Sequence, residues 1–451
     1  MKKIVLFDDR IFYRNLFTLA VPIMLQNLIN AFVNVVDTVM IGQLGAVEIA
    51  GVGLGNQVFF LLNMLLFGIS SGGAVFTAQF WGKKDIIGIR KTTGFCFTLA
   101  LIVSGVFTAV CMTMPRFIIG LYSKDAAVID VGSEYLRTVA GCFMPFAVSF
   151  VLTLVMRSIE KVNLSMATTF ISLSINVFCN WLFIFGIGPF PAMGATGAAV
   201  GTVIARGAEL IILLTVSYGR KYAFAGTIRE LFSFDALFIK RFFQIAFPVM
   251  VNEVLWSLGV TMQNVIFART NTDAIAAFNI VNTVAQLTWV FFIGLGNGCS
   301  VLIGKKIGEG CNDTARDYAR RITRFSPMLA GFVALLLIPI GYGLPFFFKV
   351  NDHVFSIIFN MIVILIISYP FRAFNMSMII GVCRAGGDTV FSVMYDVLIM
   401  WTIALPLAAI SSFVFHASAW IVYLCLSIED PLKMTFGILR LKSGKWLRNV
   451  T

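Results

Sequence analysis

The chain has 451 residues, 59% of them hydrophobic and only 12% charged, with a mean hydropathy of +0.91. That composition excludes an ordinary soluble domain and describes an all-α polytopic membrane protein. The net charge of +12 would suit nucleic acid, but its placement along the chain excludes that partner, as shown below.

The chain starts MKKIVLFDDRIFYRNLF, without the apolar core and small-residue cleavage site of a secretory signal, so the first helix is expected to stay. Hydrophobic runs predict twelve helices, at 15–41, 47–80, 91–118, 131–157, 163–187, 194–219, 242–268, 274–303, 319–345, 353–383, 389–413 and 415–439. The first carries AVPIMLQNLINAFVNVVDTVMIG (20–42), which as a helix spans roughly 34 Å, enough to cross a hydrocarbon core of about 30 Å. With the N-terminus inside, 27 of the 34 Lys and Arg fall in cytoplasmic segments; five (Arg116, Lys124, Arg137, Arg269, Lys349) fall near the outer side and two, Arg206 and Arg372, within helices. This is the positive-inside bias, so both termini are expected in the cytoplasm and the basic charge orients the chain. The eight cysteines are scattered singly and read as packing residues. His353 and His416 are too far apart in sequence to suggest a metal cluster.

The first and seventh helices match at an offset of 226 residues. AVPIM (20–24) faces AFPVM (246–250), and the register continues through Ala50/Ala276, Asn56/Asn282, Gly68/Gly294 and Gly72/Gly298. Six helices per half make this a parallel repeat about an axis along the membrane normal. The expected organisation is an N-lobe (1–219), a polar, basic linker (220–241) and a C-lobe (242–451), two pseudo-symmetric six-helix lobes. The lobes differ in their acids: Asp37 aligns with Gln263, and Glu253 aligns with Asn27.

Asn27, Asn30, Asn34, Asp37 and Thr38 fall on one face of the first helix. Glu253, Ser257, Thr261 and Asn264 do the same on the seventh, while Ser172, Asn176 and Asn180 mark the fifth. For a single amide, a hydrogen bond to a neighbouring helix is as good an explanation as function. Acids differ, since an Asp at a helix centre costs roughly 2.5–3.5 kcal/mol to insert. Asp37 and Glu253 are therefore read as functional. Asp396 is balanced between function and an ion pair with Arg372 or Arg384, and Arg206 with Glu209 reads as a structural pair. The spacings Gly51–Gly55, Gly68–Gly72 and Gly197–Gly201 suit close helix approach. No nucleophile–base pairing or cofactor loop points to an enzyme.

The runs VPIML and VVDTVMIGQLG in helix one, QFWGKKD in helix two, SINVFCNWLFIFG in helix five, FPVMVNEVLWSLG in helix seven and GVCRAGGDT before helix eleven resemble the multidrug and toxic compound extrusion (MATE) family over essentially the whole chain. The resemblance implies two six-helix lobes around a cavity, and export of amphipathic, often cationic, compounds driven by Na⁺ or H⁺ entry. It assigns Asp37, Asn176 and Asn180, with Thr202, to a coupling-cation site where Na⁺ can bind; Glu253 matches a helix-seven acid of the C-lobe. Gln263, Asn282, Asp396 and Arg372 complete the C-lobe positions expected to serve substrate or coupling. Some members carry an Asp where this chain has Asn180, and an acid in helix ten that this chain lacks. The rival reading within the superfamily is a lipid-linked saccharide flippase, whose anionic cargo needs a cationic cavity; an uncoupled channel is the other.

Overall fold

A computed structural model describes residues 9–347 and 352–451. Lys349, assigned above to the outer side, and the first eight residues lie outside the described residues. No strand is present among the described residues, and eleven helices there are long and apolar enough to cross a membrane. They are α1 (Arg10–Gly42), α2 (Ala46–Lys83), α3 (Ile86–Thr113), α4 (Ala126–Ser158), α5 (Val162–Phe185), α6 (Gly194–Gly219), α7 (Ala236–Thr270), α8 (Thr272–Gly308), α9 (Asn312–Phe347), α10 (His353–Arg384) and α11 (Thr389–Phe413).

The region expected to form a twelfth helix comes in two pieces, α12 (Ala419–Ser427) and α13 (Glu429–Ser443), separated at Ile428. Pro431 lacks an N–H and sits in the first turn of α13, where no intrahelical donor is required. Glu429, Asp430 and Lys433 fall in the first turns of α13, inside the stretch read from hydropathy as one run.

Hydropathy marks where a chain is apolar, whereas hydrogen bonding sets where a helix ends. Helix three was expected over 91–118 but begins at Ile86, because the Asp85 side chain caps it by accepting from the Gly88 N–H at 2.9 Å. It stops at Thr113, since Pro115 starts the next turn (Pro115–Gly120) and disfavours helical geometry just before it. Helices α7, α8 and α9 likewise run several residues past their apolar cores into charged flanks. The last two turns of α10 (Ser377–Arg384) and two stretches of α11 (Met394–Leu398, Met400–Ala404) are π-helical, a local widening often found at functional sites.

The chain forms two compact units. One comprises Leu25–Phe242: the second half of α1, then α2 to α6 and the segment leading into α7. Here α5 and α6 pack along their length, with the Ser172 hydroxyl donating to the Ala205 carbonyl at 2.9 Å. The polar segment after α6 folds back on α3. Its short turn Ile228–Leu231 is closed by a capping box between Thr227 and Glu230, and Arg90 of α3 binds Glu230 at 2.7 Å. Those donors, the Thr227 N–H first, hold the Glu230 carboxyl below its ordinary range. The contact requires Gly94, where an added Cβ would lie 2.0 Å from the Leu231 carbonyl oxygen.

The other unit comprises the described residues up to Met24 and Phe243–Thr451. Its α8 lies against the first half of α1, with the Gly298 Cα–H face closed on Ala20. Phe267 of α7 stacks on Phe278 of α8 at a centroid distance of 4.1 Å. Asp388, in the turn before α11, binds Arg440 at 2.7 Å and Arg448 at 2.9 Å, tying the C-terminal segment to this unit.

Gly94→Ala forces α3 off the Leu231 backbone and is expected to destabilise the protein by about 1–3 kcal/mol. Gly105→Ala, on the same helix with nothing within 4 Å of the added Cβ, is expected to be neutral or stabilising. Thermal unfolding of the two purified variants in detergent measures the contrast.

Candidate functional site

Within the unit Leu25–Phe242, a cavity of about 410 Å³ opens between α1, α2, α4, α5 and α6. From α1 it is lined by Asn30, Asn34, Asp37 and Thr38, the amphipathic stripe expected from their spacing. Asn30 and Thr38 turn their side chains back onto their own helix, donating to the Gln26 and Asn34 carbonyls at 2.9 and 2.8 Å. Opposite them, α5 presents Asn176 and Asn180, and α6 presents Thr202. Aromatic rings of Phe59, Phe60 and Tyr135 form an apolar wall, and the Tyr135 hydroxyl donates to Asn56 Oδ1 at 3.0 Å.

Asp37, Asn176, Asn180 and Thr202 come together as a hydrogen-bonded row. Asn180 Nδ2 donates to Asp37 Oδ1 at 2.9 Å and lies 3.4 Å from Asn176 Oδ1; Asn176 Nδ2 donates to Thr202 Oγ1 at 3.3 Å. The Thr202 hydroxyl donates to the Ala198 carbonyl at 3.0 Å, which leaves its lone pairs facing the amide. Asn180 Oδ1 is buried and has no hydrogen-bond partner. A buried carbonyl oxygen without a donor is a costly feature unless something electropositive approaches it. The amide has room because α6 carries Gly201 there, where a Cβ would lie 2.1 Å from Asn180 Oδ1.

Arg206 also lines this cavity, but its charge is engaged. Its Nη1 binds Glu209 Oε2 at 2.7 Å, and the guanidinium stacks 5.1 Å from the Phe146 ring centroid. Behind the cavity a residue without an assigned role proves central. Gln26 is 4% exposed; its Nε2 donates to Thr169 Oγ1 at 2.6 Å and to Ser165 Oγ at 3.3 Å, while its Oε1 accepts from Arg157 at 2.6 Å. The signal was the 226-residue offset, because Gln26 aligns with Asn252, the corresponding buried amide of the second unit.

The second unit treats its acids differently. Glu253 Oε1 accepts from Arg384 at 2.6 Å, with both residues buried. Asp396 is bound by Lys433 and by Asn252 Nδ2, each at 3.1 Å, and Lys433 also lies 3.1 Å from Glu429. Arg372 binds Asp430 at 2.8 Å. The cation on Asp396 is therefore Lys433, not Arg372 or Arg384, each of which is committed to another carboxylate. The sequence reading ends helix ten at 383, one residue before Arg384, and sets Lys433 near the end of the run 415–439. The helix containing Arg384 continues one residue further than its apolar run, and α13 folds Lys433 inward, so both are 4% exposed. Gln263 lies about 15 Å along α7 from Glu253, and Asn282 sits on α8. Both are half-buried, and neither is hydrogen-bonded to these ion pairs among the described residues.

Of the acids set within the helices, Glu209, Glu253, Asp396, Glu429 and Asp430 each have a basic partner within 4 Å. Asp37, held by one amide, has no Lys or Arg at that distance among the described residues. The arrangement offers a carboxylate, an orphaned amide oxygen and a hydroxyl beside a cavity of about 410 Å³, a donor set suited to a hard monovalent cation or a proton.

The profile of the MatE family matches residues 22–182 and 248–410. The chain is 24% identical over 435 residues to the probable multidrug resistance protein NorM of Thermotoga maritima, covering 96% of this chain and 93% of that one. The fold is similar to that of the Vibrio cholerae MATE transporter VcmN in the bent form (TM-score 0.86, 17% identity, 96% and 97% of the two chains). It is also similar to that of a MOP superfamily transporter from Pyrococcus furiosus, whose binding pocket is described as having reverse polarity that suggests a different function (TM-score 0.84, 18% identity, 99% of both chains).

Gly201→Ala is expected to push the Asn180 amide away from Asp37 and destabilise the protein, whereas Gly207→Ala, with open space on the same helix, does not. In the double variant Gly201→Ala with Asn180→Ala the side-chain part of the clash disappears, leaving the backbone nitrogen of residue 180 at 3.1 Å, so the two substitutions should be non-additive by about 1–3 kcal/mol in a thermal-unfolding cycle.

Proposed function

We propose, from the premise that this chain belongs to the MatE family, that it is a secondary antiporter. It exports amphipathic, often cationic, organic compounds across the plasma membrane in exchange for Na⁺ or H⁺. The observation that carries this reading is the state of Asp37: a carboxylate inside a helix, bordering a cavity of about 410 Å³, with an amide where its counterparts have a cation. An uncompensated charge there is tolerated at a cost of a few kcal/mol, and that cost gives an entering cation or proton something to relieve.

Asp37 is the ion's principal partner in this reading, with Asn180 Oδ1, Asn176 and Thr202 completing the oxygen set. The ion stabilises whichever arrangement of the helices closes these oxygens around it and so shifts the population between inward- and outward-open states; binding equally to both would transport nothing. The aromatic wall of Phe59, Phe60 and Tyr135 and the negative charge of Asp37 suit an apolar organic cation, so ion and cargo exclude one another electrostatically. The bias of Lys and Arg along the chain puts both termini in the cytoplasm. In the second unit, Glu253, Asp396 and Arg372 act chiefly as members of ion pairs, while Gln263 and Asn282 remain polar positions open to cargo.

The flippase alternative is less well supported. An anionic pyrophosphate requires a free cation in the cavity, and Arg206, the basic residue lining it, is held by Glu209 at 2.7 Å.

Asp37→Asn keeps the shape and the contact with Asn180 and removes the charge. Dye efflux from proteoliposomes under an imposed Na⁺ or pH gradient, run separately, is expected to fall at least about tenfold, with the variant still monodisperse and folded. Wild-type rates in both gradients would remove Asp37 from coupling.

A further inference from the structure

A second cavity, of about 150 Å³, lies in the other unit where the start of α9 meets the end of α13. Arg316 and Arg320 line it from α9, one turn apart on one face, and Lys442, Ser443, Gly444 and Trp446 line it from the C-terminal segment. The lining contains three cations and no carboxylate. Elsewhere in this unit the cations drawn into the fold meet acids: the buried Arg384 and Lys433 and the half-buried Arg372 and Arg440 each do so at 2.6–3.1 Å. Here, where Arg316 and Lys442 are exposed and Arg320 is half-buried, Arg316 makes one loose contact, 3.4 Å to an Asp313 carboxylate that is 99% exposed, and Arg320 and Lys442 pair with no acid among the described residues. Placing two guanidiniums a turn apart, with an ammonium opposite, costs repulsion that an anion between them would turn into attraction.

A second observation is independent of charge. Trp446 is fully buried, yet its indole Nε1 has no hydrogen-bond partner. An indole N–H only donates, so the partner it can take is an acceptor such as an oxygen. The backbone makes room for the ring, because Gly386 carries no Cβ where one would lie 2.7 Å from Trp446 Cε3. Gly444, in a left-handed conformation at φ 67°, ends α13 beside the Arg316 guanidinium.

The position identifies the source of such an anion. Charges on α9 cease at Arg324, and an apolar run of the same helix follows. Beyond Arg324, Met328, Phe332, Leu335 and Ile338 are exposed apolar side chains, all within about 120° of Arg320 at 100° per residue. The basic pocket thus sits at the polar end of a helix whose exposed side turns apolar beyond Arg324. We propose that this pocket binds the phosphate of an anionic phospholipid headgroup, the acyl chains lying along α9. It is separate from the Asp37 cavity, and its residues take no part in the proposed coupling.

The test is thermal unfolding of the full chain in phosphatidylcholine micelles, alone, with phosphatidylglycerol added, or with inorganic phosphate added. Phosphatidylglycerol is expected to raise the wild-type midpoint by several degrees. The rise should be at least halved in Arg320→Gln with Lys442→Gln, and reduced in Trp446→Phe, which keeps a ring and loses the N–H. It should persist in Lys240→Gln with Arg241→Gln, which removes two positive charges elsewhere. An equal rise with phosphate alone would overturn the lipid assignment. A phosphatidylglycerol shift that survives in the Arg320, Lys442 pair, or that falls equally in the Lys240, Arg241 pair, would overturn the site.

Discussion

A carboxylate left charged in a hydrocarbon-like interior costs a few kcal/mol unless it is compensated, and this chain is organised around how it meets that constraint. In the second unit each buried acid is given a resident cation: Arg384 for Glu253, Lys433 for Asp396 and Glu429, Arg372 for Asp430. In the first unit Glu209 has Arg206, and Asp37 has an amide. Breaking a buried pair by removing one partner costs about 3–5 kcal/mol, so the paired acids are poor candidates for binding and releasing an ion in each cycle. Asp37 carries no such penalty.

The internal repeat shows how the difference arose in physical terms. Gln26 and Asn252 occupy equivalent positions and are both buried amides, each holding a polar partner within its own unit. The guanidiniums of Arg157 and Arg384 come one residue apart in the repeat register. One meets the neutral Gln26 Oε1 and the other the charged Glu253, both at 2.6 Å. Moving the acid from the level of Glu253 to the level of Asp37 takes it out of reach of that guanidinium and onto a cavity wall. One helical framework thus yields an acid that fixes structure and an acid left available for chemistry.

Much of this was legible in the residues. The all-helical class followed from composition, and Asp37, Asn30, Asn34 and Thr38 share a wall because a 3.6-residue period requires it. That Asn176, Asn180 and Thr202 converge on Asp37 came from family resemblance, and no spacing in one helix could have supplied it, because those contacts join residues 26 to 143 positions apart. The misassigned residues share one cause. Arg384 falls just past the apolar run of helix ten and Lys433 near the end of the last run, so hydropathy gave neither a buried partner, whereas a π-turn ending α10 and the first turns of α13 carry them inside. Ion-pair identity is likewise invisible to a linear reading: Arg372 and Arg384 were the partners read for Asp396, and only the packed helices bring Lys433 to it.

The central claim is that Asp37 is charged, available and able to hold a small cation through its oxygen neighbours. Equilibrium binding of radiolabelled Na⁺ to purified protein, titrated against pH, addresses this directly. The account predicts one saturable site per chain that is lost in Asp37→Asn, or, for a proton-coupled carrier, release of a single proton that vanishes with the same substitution. Retention of either signal in Asp37→Asn, with its loss in Glu253→Gln, would contradict the account and move the ion to the second unit.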